Sequence, residues 1–159
     1  MAHFTNAADI ITAAIEIERR GFTFYEQAAA CAEQKEDKDF FLLLAKEEKR
    51  HEKFFSNMLV RIGGLELPAG SCTGEYFEYV DLLLNTHCLF LADKQEALLA
   101  DPFREAMNFE KDTILFFSAM RRLIASAEAS HIDACIEEEQ RHLLLIAEHV
   151  KARTMAAGK

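Results

Sequence analysis

Four stretches of the chain place apolar residues at alternating steps of three and four, the spacing that lines one face of an α-helix. The first stripe reads Ile11, Ile15, Glu18, Phe22, Tyr25 and Ala29, and the second Phe41, Leu44, Glu48, His51, Phe55, Met58 and Ile62. The third reads Phe103, Ala106, Glu110, Thr113, Phe117, Met120 and Ile124, and the fourth Ile132, Cys135, Glu139, His142, Ile146 and His149. A glutamate interrupts every stripe, and in the second and fourth a histidine follows it three residues on.

Capping signals bound the elements. Asn6 or Thr5 can cap a first helix running to about Ala32, and the charged stretch 33–39 separates it from the second. That helix should stop at Gly63 and Gly64, where a left-handed cap costs least. The connection 65–101 holds Pro68, Gly70 and Gly74 and a shorter helix around 75–91. Asp101 followed by Pro102 reads as a cap and a first helical residue, opening a third long helix that reaches about Ala125. Ser130 with Asp133 three residues on can start the fourth, which runs to about Ala152. Short links within each pair and a long one between pairs predict an all-α fold: an antiparallel four-helix bundle with a long crossover between helices two and three. Residues 1–159 are expected to form a single domain.

Composition sharpens this picture. With 6 Gly, 2 Pro and no Trp, the chain favours helices over a turn-rich β fold. A net charge of -9 has the wrong sign for a partner that presents phosphates, so no nucleic acid is expected. The apolar runs 40–45 and 113–120 fall far short of the ~20 residues that span a bilayer. The opening MAHFTNAAD lacks a basic region followed by a long apolar stretch. No membrane partner is expected, and the location should be cytoplasmic. Cys31, Cys72, Cys88 and Cys135 form no Cys-x-x-Cys pair, so they encode neither a zinc knuckle nor a rubredoxin-type iron site and read as reduced thiols.

The interruptions of the stripes carry the chemistry. Glu18 and Glu48 stand 30 positions apart and Glu110 and Glu139 29, so the chain reads as two helical hairpins of one design. Glu-x-x-His by itself is weak: 19 glutamates in 159 residues give six histidines about 0.7 such pairs by chance. Three occur. Glu128 with His131 falls at the junction before the fourth helix and reads as an accident of a helix end, whereas Glu48–His51 and Glu139–His142 lie on apolar stripes. Four carboxylates converging in a core would each cost several kcal/mol and repel one another. Buried ion pairs could relieve them, but the stripes hold no Lys or Arg at this level. Two divalent cations would balance the charge, with the two imidazoles completing the ligand set. Mixed O and N ligands with open positions suit iron or manganese that reacts with dioxygen or peroxide. Glu139→Leu should therefore abolish most metal binding yet leave the metal-free bundle as stable as wild type or more so.

Four segments, AIEIERRGFTFYEQAA (14–29), LAKEEKRHEKFF (44–55), FEKDTILFF (109–117) and EEEQRHL (137–143), resemble the rubrerythrin-like branch of the ferritin-like superfamily. The resemblance implies Glu48 and Glu139 bridging two irons, Glu18 and Glu110 as terminal carboxylates, and His51 and His142 each completing one iron. Manganese or zinc is the alternative occupant. It also sets Tyr25 beside the centre as a candidate catalytic residue, a place that core packing explains equally well. Two departures stand out. The chain ends at Lys159 without the family's rubredoxin domain, so electrons must come from a separate donor such as a rubredoxin-like protein. Thr113 stands where many members carry a further glutamate, which brings the ligand set nearer to a bacterioferritin-type ferroxidase centre. Glu47, Glu137, Glu138 and Arg141 read as solvated helix faces, and His149 as a satisfied histidine at the end of the bundle.

The function expected is a non-haem di-iron oxidoreductase, acting on hydrogen peroxide or dioxygen with oxidation of ferrous iron, in an oxidative-stress or iron-handling role. The competing readings are a ferroxidase subunit of an iron-storage cage and a non-enzymatic metal-binding module. A homodimer or larger homo-oligomer is expected.

Overall fold

The computed structural model describes residues 4, 6–62, 74–91, 99–124 and 126–157. Helix α1 spans Ala7–Cys31 and opens on Asn6, whose side chain accepts from the Asp9 N–H at 2.9 Å. Helix α2, Lys35–Ile62, begins inside the stretch expected to be a linker. Its charges are helical after all: Glu36 and Asp37 fall in the first turn, where carboxylates meet the positive end of the helix dipole. The expected stop at Gly63 and Gly64 and the alternative cap at Thr5 lie outside the described residues.

Helix α3, Gly74–Thr86, is shorter than expected, because His87 breaks it and caps a single 3₁₀ turn, Cys88–Phe90. Helix α4, Pro102–Arg121, starts on Asp101, whose carboxylate accepts from the Arg104 N–H at 3.2 Å. It closes before Ala125, through the Arg122 N–H to the Ala119 carbonyl. Helix α5, Ser126–Ala157, starts four residues earlier than Ser130 and ends beyond Ala152. Asp133 therefore does not cap it but takes two bonds from Arg121, at 2.7 and 2.9 Å, across the tight α4–α5 link. Glu128 lies in the first turn of α5 and His131 in the second, so the pair falls inside the start of the helix and not before it, and Arg61 of α2 donates to Glu128 at 2.9 Å.

The bundle is antiparallel as expected. Arg61 meets Glu128 at one end of the α2–α5 seam, and Asp37 accepts from His149 at 2.7 Å at the other. His149 is thus the satisfied end-of-bundle histidine foreseen, stacked on Phe40 with ring centroids 4.2 Å apart. Every residue of the four stripes is buried except Phe22 and His149, which are half-buried. Phe22 is drawn outward, with the Lys49 ammonium 5.2 Å from its ring. The crossover lies against α1 and α4: Tyr76 donates to the Ala119 carbonyl at 2.9 Å, and Arg20 to the Leu89 carbonyl at 2.9 Å. That cover explains why α1 buries a broader face than its stripe, adding Ile10, Ala14, Ile17, Phe24 and Ala28. No described helix is long and apolar enough to cross a membrane.

Candidate metal centre

A helical step of three residues keeps two side chains on one face, and the sequence uses that step twice to pair a carboxylate with an imidazole. The structure brings the six predicted residues together: Glu18 from α1, Glu48 and His51 from α2, Glu110 from α4, and Glu139 and His142 from α5. All four carboxylates are 0% exposed, and His51 and His142 are 2% and 1% exposed.

The imidazoles face each other across the bundle, with ring centroids 5.7 Å apart and planes at 24°. Both turn Nδ1 inward. His51 Nδ1 lies 2.7 Å from Glu139 Oε1 and 3.7 Å from Glu18 Oε2. His142 Nδ1 lies 3.0 Å from Glu139 Oε2 and 3.6 Å from both Glu48 Oε1 and Glu110 Oε1. Glu139 therefore offers one oxygen to each imidazole. Potential ligand atoms of Glu18, Glu48 and His51 fall within 4.8 Å of one another, and so do those of Glu48, Glu110, Glu139 and His142. Glu48 belongs to both groups, and Glu139, a member of the second, reaches His51 of the first through its Oε1.

The donor set is short of partners. Both oxygens of Glu18 and of Glu48, Glu110 Oε2, Glu139 Oε1, His51 Nδ1 and His142 Nε2 are buried without a hydrogen bond. The close approach of His51 Nδ1 to Glu139 lacks hydrogen-bond alignment. Buried polar groups are almost always satisfied, so this many together mark a site made for something else. Carboxylate oxygens with two imidazole nitrogens, in two overlapping groups, fit two divalent transition-metal ions.

Metal-free electrostatics separate the carboxylates. Burial, reinforced by Glu139, pushes the Glu18 carboxyl well above its ordinary range, and burial with Glu18 does the same to Glu48. Glu110 rises to about 8, through burial and Glu139. Burial would raise Glu139 too, but the hydrogen bond from His142 and the close His51 imidazole outweigh it and hold this carboxylate well below the usual range. Burial disfavours an imidazolium at His51 and His142. Glu139 and Glu48 at the first, and Glu110 and Glu139 at the second, reverse that and lift each to about 10. Without metal, the two imidazolium groups supply the positive charge that the stripes lack, and Glu139 is their shared counter-ion. Tyr25 donates to Glu110 Oε1, and burial, with Glu110 beside it, keeps its phenol protonated.

Two features lie outside the sequence expectation. Glu138 is not a solvated face: its Oε2 stands 2.6 Å from His51 Nε2 and accepts from Arg50 at 2.6 Å. It falls one step off the inward stripe, but the repeat Glu47-Glu48-Lys49-Arg50-His51 and Glu138-Glu139-Gln140-Arg141-His142 carried a signal for it. Glu47 is half-buried against Arg50, while Glu137 and Arg141 are exposed as expected. The second feature is His87, fully buried in the crossover, with Nε2 3.2 Å from Thr113 Oγ1 and Nδ1 accepting from the Leu89 N–H. Burial and Arg20 lower its pKa to about 3, so it is neutral. A lone histidine outside any periodic stripe gives no sequence signal. Neighbouring Cys88 and Asp112 could form a third ligand group with it. Asp112 accepts from the Cys88 N–H at 2.9 Å, and burial with Asp112 pushes the thiol up to about 12, so this group is satisfied internally. Among the described residues Cys31, Cys88 and Cys135 are free thiols, and Cys72 lies outside them.

The rubrerythrin family model matches residues 9–150. A Thermotoga maritima structure described as that of a candidate ferritin-like diiron-carboxylate protein superposes with a TM-score of 0.69 at 23% identity. The match covers 93% of this chain and 96% of that one, and at this identity it is a likeness of fold. Among curated proteins, none matches the chain.

Proposed function

The chain belongs to the rubrerythrin family, and from that premise we propose that residues 1–159 form one ferritin-like domain whose di-iron centre reduces hydrogen peroxide or dioxygen. The protein is an oxidoreductase of iron and peroxide chemistry. The observation that carries the ligand assignment is the ring of four buried carboxylates with unpartnered oxygens and two inward Nδ1 atoms. Glu48 and Glu139 would bridge two ions; Glu18 and His51 would complete one position, and Glu110 and His142 the other. Bound there, two ferrous ions would supply the two electrons that reduction of one peroxide requires.

The residues do the remainder. Reduction to water also consumes protons, and the Tyr25 hydroxyl directed at Glu110 Oε1 holds one at the edge of the centre. Phe55, Phe109 and Phe117, which share helices with the proposed ligands, are all 0% exposed and close that part of the core to bulk water. Electrons would be returned to the centre by a separate donor, a rubredoxin-like protein being the proposed kind. Iron is preferred over manganese or zinc because the family's chemistry is that of a di-iron centre.

Elemental analysis of protein purified without chelator should give about two iron ions per chain, with His51→Ala and His142→Ala each lowering occupancy. Mixing the anaerobically reduced protein with peroxide in a stopped-flow instrument should oxidise that iron faster than free ferrous ion. Full occupancy in both variants would reject the ligand assignment, and oxidation no faster than in solution would reject the activity.

A further inference from the structure

Identical pentapeptide patterns supply the two halves of the centre, yet the halves are not built alike. Glu138 stands directly before the ligand Glu139 as Glu47 stands before Glu48, so a symmetric centre would pair Glu138 with His51 and Glu47 with His142. Only the first pairing forms, at 2.6 Å between Glu138 Oε2 and His51 Nε2. Arg50 accompanies this choice: it donates to Glu138 at 2.6 Å and also bonds Glu47, and His142 Nε2 has no bond to Glu47. Arg141, its counterpart in the repeat, is exposed, and His142 Nε2 is left buried without a partner among the described residues. A second difference is written in the sequence. Seven residues after Glu18 stands Tyr25, and seven after Glu110 stands Phe117. Tyr25 donates to Glu110, whereas phenylalanine offers Glu18 no such bond, and both Glu18 oxygens remain unpartnered.

We propose that the two metal positions of this centre are inequivalent, that the Glu18–His51 position is the tighter, and that Glu138 is the positioning residue that makes it so. A carboxylate accepting from Nε2–H fixes the His51 tautomer with its lone pair on Nδ1, holds the ring in place and raises its basicity toward a cation. The His142 ring has no such restraint, so the energy of orienting it is drawn from metal binding. On the carboxylate side the bias has the same direction, because a hydrogen bond from Tyr25 withdraws donor strength from Glu110 while Glu18 keeps both oxygens for metal. The Glu18–His51 position therefore fills first and empties last. This inference rests on the proposed ligand assignment of the same site.

The test is anaerobic calorimetry of the chelator-stripped full chain with ferrous ion, repeated with zinc as a redox-inert probe. Wild type should bind two ions in two steps separated by about tenfold or more, and Glu138→Ala should weaken the tighter step about 10–100-fold while leaving the weaker one in place. Glu138→Gln, whose amide oxygen still accepts from Nε2–H, should recover most of the loss. Glu47→Ala should change neither step. Two equal steps in wild type, or equal weakening of both steps by Glu138→Ala, would overturn the inequivalence while leaving the di-metal centre intact. Failure of wild type to bind two ions at all would overturn the ligand assignment together with it.

Discussion

The Tyr25 hydroxyl on α1 donates a hydrogen bond to Glu110 Oε1 on α4, and both groups are fully buried. The tyrosine is wedged between Phe41 and Phe109, with centroids 6.2 and 5.7 Å away, so the hydroxyl has little freedom to turn elsewhere. Tyr25→Phe keeps that packing and removes only the bond. The metal-free protein should lose about 1–3 kcal/mol of stability, the cost of leaving a buried acceptor without its donor. Peroxide turnover by the iron-loaded variant should fall about tenfold or more with iron occupancy unchanged, because the proton held next to Glu110 is gone. Turnover equal to wild type would make Tyr25 a packing residue, which is the other half of what its sequence position allows.

Protonation sets a pH dependence with opposite signs in the two states of the centre. Glu110 rises from its ordinary 4.5 to about 8, and His51 and His142 from 6.5 to about 10. A group whose pKa is raised by folding contributes its stability fully below the unfolded value and loses it as pH climbs through the folded value. In chelator, stability should therefore decline from about pH 4.5 to about pH 10, first through Glu110 and then through the imidazoles. Metal must displace those same protons, so its apparent affinity should rise over that range. Thermal unfolding in chelator across the series, with calorimetry in buffers of different ionisation enthalpy, measures both slopes. A melting temperature that rises with pH in chelator would mean that the carboxylates are already ionised.

Gly21 occupies, on α1, the place that Thr113 occupies on α4, three residues after the inward glutamate. The two are not interchangeable. A Cβ at Gly21 would collide with Phe109 Cζ and stand 3.0 Å from Glu48 Oε2. The Phe109 ring is fully buried and bounded by Tyr25 and His87, each 5.7 Å away, so it cannot swing aside without moving both. Gly21→Ala should cost about 1–3 kcal/mol in thermal unfolding despite alanine's higher helix propensity. It should also lower metal occupancy by displacing Glu48. Gly74→Ala is the control, since nothing lies within 4 Å of a Cβ there, and it should be neutral.

The bundle and its six inward polar residues were legible in the sequence because helical period and burial are the same information: a polar group on a stripe of seven apolar steps has nowhere to point but the core. What the stripe could not supply was everything reached sideways. Glu138 lies 100° around α5 from Glu139 and touches His51 only because α2 and α5 run antiparallel at close range. His87 comes from a connection without period, and only the docking of α3 against α4 brings it to Thr113. The linker at 33–39 was misjudged because a first helical turn rich in charge has the composition of a loop, and the dipole that favours it appears only once the helix exists.

The four carboxylates look equivalent on their stripes, and the structure divides them. Neither oxygen of Glu18 has a hydrogen bond, and burial pushes its carboxyl well above the ordinary range. Glu139 instead stays ionised between two imidazolium groups, 2.7 Å from one Nδ1 and 3.0 Å from the other. The expectation that Glu139→Leu leaves the metal-free bundle no less stable is therefore corrected: that outcome fits Glu18, whereas Glu139 lies between the two imidazoles. Glu18→Leu exchanges an unpartnered buried acid for a side chain suited to its stripe, and its melting temperature in chelator should equal or exceed that of wild type. Glu139→Leu removes the counter-ion of two buried cations and should cost about 3–5 kcal/mol in the same buffer. Both should lose the stabilisation that ferrous ion is expected to confer on wild type under anaerobic conditions, since each deletes a proposed ligand. Thermal unfolding of the three proteins, with excess chelator and with added ferrous ion, separates the outcomes. If Glu139→Leu in chelator melts as high as Glu18→Leu, the imidazoles are neutral in the metal-free protein and Glu139 is one more protonated acid. If Glu18→Leu is still stabilised by iron as strongly as wild type, Glu18 is not a ligand.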